Sequence, residues 1–104
     1  MEREYCVEIA YKNKSLEKIC TDASAAVRKY GFEMAARIRM RIGEMMMADN
    51  VEQMILYRVG RCHMLKGDRE GKYAVDLVHP YRLVFRMVGE DIQIARIEKI
   101  VDYH

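Results

Sequence analysis

Residues 72–101, KYAVDLVHPYRLVFRMVGEDIQIARIEKIV, decide the fold. Three segments within them, 72–77 (KYAVDL), 81–87 (YRLVFRM) and 92–101 (IQIARIEKIV), are rich in β-branched and aromatic residues. Such side chains suit a half-buried pleated surface. Their connections are short: His79-Pro80 fits a turn with Pro at its second position, and Gly89-Glu90-Asp91 fits another. Strands joined this tightly lie antiparallel. A further short strand over 62–65 is expected to join the set through 66–71, where two glycines suit a tight reversal.

Upstream, residues 4–11 (EYCVEIAY) place Tyr5, Val7 and Ile9 at a period of two, the mark of a strand. Ser15 then offers an N-cap. Leu16, Ile19, Cys20, Ala23, Val27 and Tyr30 follow at helical spacing, and Gly31 is a natural stop. A second helix is expected over 32–47. The stretch ARIRMRI at 36–42 alternates like a strand, but Ala, Met and Glu around it favour helix. Ile38, Ile42 and Met45 also share one helical stripe, and Glu33 precedes Arg37 by four residues. Asn50 and Gln53 resemble a capping box for a turn of helix ending near Leu56. The order β-α-α-β-β-β, with a short extra strand at 62–65, gives an α+β domain. Two helices from the N-terminal half pack on one face of a mainly antiparallel sheet of four to five strands.

The chain has 104 residues, so one domain spanning 1–104 is expected. With 51% apolar and 33% charged residues, the composition argues against disorder. No apolar run is long enough to cross a membrane, and the N-terminal residues lack the apolar core of a signal peptide. Cys6, Cys20 and Cys62 are odd in number and lack C-x-x-C spacing, so neither a disulfide framework nor a zinc site is expected. The expectation is a cytoplasmic protein with no metal and no cofactor. Met45, Met46 and Met47 read as gap-filling or helix-end residues, and three in a row cannot all point inward.

The net charge of +2 is unevenly spread. Residues 1–56 are balanced, and the whole excess sits in 57–104. It is densest at Arg58, Arg61, Lys66, Arg69 and Lys72, against Asp68 and Glu70. Clustered cations mark either a polyanion site or a solvated face. Of three histidines, His79 precedes Pro80 and reads as an exposed turn residue. His63 lies beside the basic loop, and His104 follows Asp102 and Tyr103 at the end of a strand-like run. Such an end is most often a frayed tail, but this continuity allows one held at a sheet edge instead.

These residue types suffice for one chemistry. Cleaving RNA through its own 2′-OH needs a base at the hydroxyl, a donor for the leaving 5′-oxygen, and cations on the phosphorane. Two imidazoles, a carboxylate and Lys/Arg groups supply all of these without a metal. A terminal carboxylate beside the His104 imidazole favours the protonated ring, and hence an acid role for it.

At the same residues the chain resembles a known family. The segments HMLKGDREGKY (63–73), YRLVF (81–85) and VDYH (101–104) are similar to the HigB-type toxins, killer proteins of type II toxin–antitoxin systems within the RelE superfamily of mRNA interferases. Met64 stands where a proline often follows the histidine, and His79-Pro80 where the turn is often Asn-Gly. The resemblance implies a ribosome-dependent endoribonuclease that cuts mRNA and is silenced by a helix-turn-helix antitoxin of the HigA type. It places catalytic roles on His63, Asp102, Tyr103 and His104, and RNA or phosphate contact on Lys66, Arg69 and Arg82. Two rival readings stand beside it. One is a non-enzymatic RNA- or ribosome-binding module that blocks translation without cleavage. The other is a structural protein pairing through its Met-rich helices. For a toxin, the antitoxin is expected to dock on the helices, near Arg37, Arg41, Ile38, Ile42 and Met45.

Overall fold

The computed structural model describes residues 6–67, 71–89 and 93–103. The chain enters through strand β1 (Glu8–Tyr11) and continues into helices α1 (Lys14–Thr21), α2 (Ala23–Tyr30), α3 (Phe32–Met47) and α4 (Val51–Leu56). A 3₁₀ turn at Val59–Arg61 leads to β2 (His63–Met64), β3 (Lys72–Asp76), β4 (Tyr81–Val88) and β5 (Ile94–Asp102). The sheet order is β1-β5-β4-β3-β2. All pairs are antiparallel except β1 with β5. The meander from β2 to β5 moves one neighbour at a time and leaves the far edge of β5 open, where β1 pairs. The α+β class and the mainly antiparallel sheet match the expectation. Tyr5, in the expected first strand, and Glu90 and Asp91, in the last turn, lie outside the described residues.

The helical half is more divided than its apolar spacing implies. The expected single helix after Ser15 is two helices, broken at Asp22. This residue is extended (φ −115°, ψ 105°), its N–H donates to the Lys18 carbonyl at 2.9 Å, and its carboxylate accepts from the Ser24 N–H at 2.9 Å. An Asp side chain competes with the helix for backbone donors, so it ends one helix and caps the next. The break also resets the phase: Ala25 and Ala26 are buried, whereas Ala23, placed on the stripe by uninterrupted spacing, is exposed. The first N-cap is Asn13 rather than Ser15, because Asn13 Oδ1 accepts from the Leu16 N–H at 2.9 Å and Ser15 falls inside the first turn. Gly31, at φ 90°, separates α2 from α3 as expected. At α4 the Asn50 cap accepts from Gln53 N–H at 2.8 Å, while Gln53 Oε1 reaches back one residue further than in a capping box, to Asp49 N–H at 2.7 Å.

One core lies between α3 and the sheet. Met34, Ile38, Ile42 and Met45 of α3 meet Val75, Leu83, Phe85, Ala95 and Ile97 of the strands, with Met54 of α4 closing one end. Burying each large side chain contributes roughly 1.5–3 kcal/mol, so this layer dominates stability. Met45 is buried while Met46 and Met47 are exposed, as three consecutive helical positions require. Arg37 and Arg41 do not form an outward face. Arg41 Nε donates to the Asp76 carbonyl at 2.7 Å, its Nη1 pairs with Glu44 at 2.7 Å, and Arg37 Nη1 reaches the Leu77 carbonyl at 3.4 Å. The docking face expected around these two arginines is therefore corrected: both satisfy carbonyls at the end of β3.

Candidate nucleic-acid interface

Strand alternation leaves the second face of the sheet without helices among the described residues. The ladder register sets its side chains in rows: Lys72–Arg86–Arg96, then Ala74–Val84–Lys99, then Asp76–Arg82–Val101. His63 of β2 lies opposite Ala74 at the end of the middle row. Ala74 and Val84 are sealed by Leu65 and flanked by Val101 and Tyr103, a small second core beneath the charged surface. Glu98 is the extra residue where the register slips between Val84 and Phe85. It is only 8% exposed, accepts from Arg96 Nε at 2.8 Å and has Lys72 Nζ at 3.9 Å. A buried carboxylate requires such partners. Cations still outnumber carboxylates on this face, so it attracts polyanions.

At the other end of the face, contacts run continuously from β2 to Tyr103, just past β5. The His63 ring contacts the Arg61 carbonyl through Nδ1 at 3.0 Å. The Arg61 side chain pairs with Asp76, and the second oxygen of that carboxylate is 3.2 Å from Arg82 Nε. The Arg82 guanidinium lies over the Tyr103 ring, 4.8 Å from its centroid, a cation–π contact. Tyr103 N–H donates to the Pro80 carbonyl at 2.9 Å, so the chain is tied to the β3–β4 turn up to this residue. Arg61, Asp76, Pro80, Arg82 and Tyr103, but not His63, wall a cleft of about 150 Å³ that His79 also borders.

The expected site residues are placed unequally. Arg82 and Tyr103 are in contact, and His63 joins them through Arg61 and Asp76. Asp102 pairs with Tyr81 in the ladder and so projects from the opposite side of β5 to Val101. Lys66 is exposed after β2. Arg69 and His104 lie outside the described residues. Asp76 and His79 were not assigned a role from sequence. The signal was the hairpin itself: a turn centred on His79-Pro80 puts Asp76 opposite Arg82.

Cys62, between Arg61 and His63, is buried, and Cys20 of α1 is half-buried. Burial pushes Cys62 up to about 12 and Cys20 up to about 11. Both therefore stay protonated near neutral pH and are poor nucleophiles. No helix among the described residues is long and apolar enough to cross a membrane.

The fold is similar to that of a solved structure, a YoeB/ParE toxin from Agrobacterium tumefaciens. The TM-score is 0.64 over 93% of this chain and 99% of that one, at 16% sequence identity. At this identity the likeness is one of fold. No family model matches the sequence, and no curated protein matches it.

Proposed function

We propose that this chain is the toxin of a type II toxin–antitoxin pair and acts as a ribosome-dependent mRNA endoribonuclease. The observation that carries the reading is the contact chain Arg61–Asp76–Arg82–Tyr103 at one end of a basic sheet face. It sets two guanidiniums and an aromatic ring beside a small cleft, next to the segments that resemble the HigB-type toxins. The fold likeness to a protein described as a toxin agrees with this reading.

Lys66, Arg69 and Arg82 hold phosphates, and Tyr103 stacks on a base, a contact worth about 1–3 kcal/mol without sequence preference. His104 protonates the leaving 5′-oxygen, and His63 is the candidate for the complementary role, since Asp102 projects from the opposite side of β5 to Arg82. Incubating the purified protein with mRNA, with and without translating ribosomes, and mapping the new 5′ ends tests the reading. His104→Ala is expected to lower the cleavage rate by about 10²–10⁴-fold at an unchanged melting temperature. Wild-type rates in that variant would remove His104 from the chemistry. Protein that binds ribosomes and leaves mRNA intact would establish the rival reading, a binding module that blocks translation without cutting.

The partner is a helix-turn-helix antitoxin of the HigA type that docks on the helical layer. With Arg37 and Arg41 committed to strand carbonyls, the docking place moves to the end of α3. There Met47, Met54, Tyr57 and Val59 line an apolar groove of about 670 Å³, and the neighbouring Leu56 is 73% exposed. Co-expressing the antitoxin with Met47→Glu/Leu56→Glu should abolish copurification. An intact complex would rule this groove out.

A further inference from the structure

The turn that leads into β2 carries two residues in the left-handed region. Arg58 and Arg61 stand at φ 55° and 53°, although neither is a glycine. A side chain makes this conformation costly, so it persists only where the surroundings over-determine it. Around Arg61 they do. Its N–H donates to the Arg58 carbonyl at 3.1 Å, and the next N–H, of Cys62, donates to the Val59 carbonyl at 2.9 Å. The Cys62 side chain is buried in the core, and the Arg61 side chain is paired with Asp76.

This conformation presents the Arg61 carbonyl to a histidine. The oxygen lies 3.0 Å from Nδ1 of His63. The backbone of His63 is placed independently, because it pairs with Ala74 across β2 and β3. A carbonyl oxygen only accepts, so the ring nitrogen facing it carries a hydrogen. The other neutral tautomer would set a nitrogen lone pair against an oxygen lone pair at that distance. Neutral imidazole has one N–H, so Nε2 keeps its lone pair. Among the described residues nothing hydrogen-bonds to Nε2, and His63 is exposed.

We propose that the Arg61 carbonyl is a positioning group for His63, holding the hydrogen on Nδ1 and so making Nε2 the atom through which the ring takes up a proton. A backbone carbonyl on Nδ1–H is a common way of choosing the reactive nitrogen of a histidine. The protonated ring keeps the same bond, so the imidazole does not turn between its two states. The use of this arrangement rests on the nuclease reading, in which Nε2 receives the proton of the attacking 2′-hydroxyl. Arg61 also lines the cleft of about 150 Å³ with Asp76 and Arg82. One residue thus borders the cleft with its side chain and orients the histidine with its backbone.

The first test reads the ring directly, without RNA. Two-bond ¹H–¹⁵N spectra of the full chain labelled with ¹⁵N-histidine are taken where the ring is neutral, with His63 identified by its loss in His63→Gln. They are expected to show the hydrogen on Nδ1 and a bare Nε2. Less than a majority of the Nδ1–H form would overturn the proposal, whatever the chain does to RNA.

Two variants then separate the backbone of Arg61 from its guanidinium. Arg61→Gly and Arg61→Val both remove the pair with Asp76, but only valine resists a positive φ. The Nδ1–H form should persist in Arg61→Gly and give way in Arg61→Val. Single-turnover cleavage of mRNA on translating ribosomes should be at least about tenfold slower in Arg61→Val than in Arg61→Gly. Equal spectra and equal rates in the two variants would overturn the positioning role, because the guanidinium alone would then account for any loss. If the wild-type chain leaves mRNA whole, the nuclease reading falls, and the tautomer stands or falls on the spectra.

Discussion

Asp76 and Arg82 face each other across β3 and β4, and the same carboxylate also binds Arg61, so one acid positions two guanidiniums from separate segments. Asp76→Asn is expected to loosen both. Pairs this exposed contribute roughly 0.2–1 kcal/mol each, so the stability loss should stay near 1 kcal/mol. Cleavage should fall at least about tenfold, because Arg82 is no longer held over Tyr103, while RNA binding should not weaken. Denaturant midpoints and cleavage rates measured together check this. Undiminished cleavage would show that the carboxylate does not position the cations.

Tyr103 contributes a ring rather than a hydroxyl in this scheme. Tyr103→Phe should therefore keep its RNA affinity, and Tyr103→Ala should lose about 1–3 kcal/mol of it. Equilibrium binding of single-stranded RNA separates the two. Equal weakening in both variants would assign the hydroxyl instead.

The basic face should reveal itself in salt. Lys66→Ala, Arg69→Ala and Arg86→Ala are each expected to lower the slope of log affinity against log salt by about 1, since each removes one phosphate contact and its released counterion. Lys66 is exposed and should leave the melting temperature unchanged. A slope that stays constant across the three would return this surface to a solvated role.

Arg41 should behave as a structural residue. Its side chain is 12% exposed and holds the Asp76 carbonyl at 2.7 Å. Arg41→Met should cost about 1–3 kcal/mol, the usual loss when a buried acceptor loses a charged donor. Gly60→Ala should be of similar order, because a Cβ there would lie 2.5 Å from Arg41 Nε and the backbone sits at φ 54°. Urea unfolding of both variants decides the matter. Wild-type stability in Arg41→Met would restore this side chain to a surface role.

Stability should decline in alkali. Burial raises the Cys62 thiol from 9.0 to about 12, so the fold favours the neutral form and the unfolded chain releases its proton first. The contribution is complete below the unfolded value and is lost as pH rises from there toward the folded one. The limiting slope is about 1.4 kcal/mol per pH unit. Cys20, raised to about 11, acts in the same direction. Urea midpoints at about pH 8 and about pH 10 should drop less in Cys62→Ala than in wild type. Parallel declines would remove Cys62 as a cause.

Much of this architecture is local. The pairing of β3, β4 and β5 follows from β-rich segments joined by short turns, because such connections leave few alternatives. The α3 stripe of Ile38, Ile42 and Met45 is equally local, since helical spacing alone puts those residues on one side. Asp22 shows where this reading fails. Apolar spacing continues past it, yet its side chain terminates one helix and begins the next, and the competition between carboxylate and carbonyl for the same donors leaves no trace in hydrophobic periodicity.

The candidate site divides in the same way. Arg82 and Tyr103 entered the reading only through the resemblance of residues 81–85 and 101–104 to a known toxin family, and Lys66 through that resemblance and local charge density. The chain alone determined that a sheet, a helical layer, cations in the second half and three histidines would exist. Only tertiary pairing decided which of them meet. The Asp76–Arg82 register brings Arg61 in from the 3₁₀ turn, and the Tyr103–Pro80 bond carries His79 to the terminal segment, whereas strand alternation turns Asp102 away from Arg82. Each of these is a contact between residues distant in sequence, made by ladder hydrogen bonds whose register is set by burying one face of the sheet.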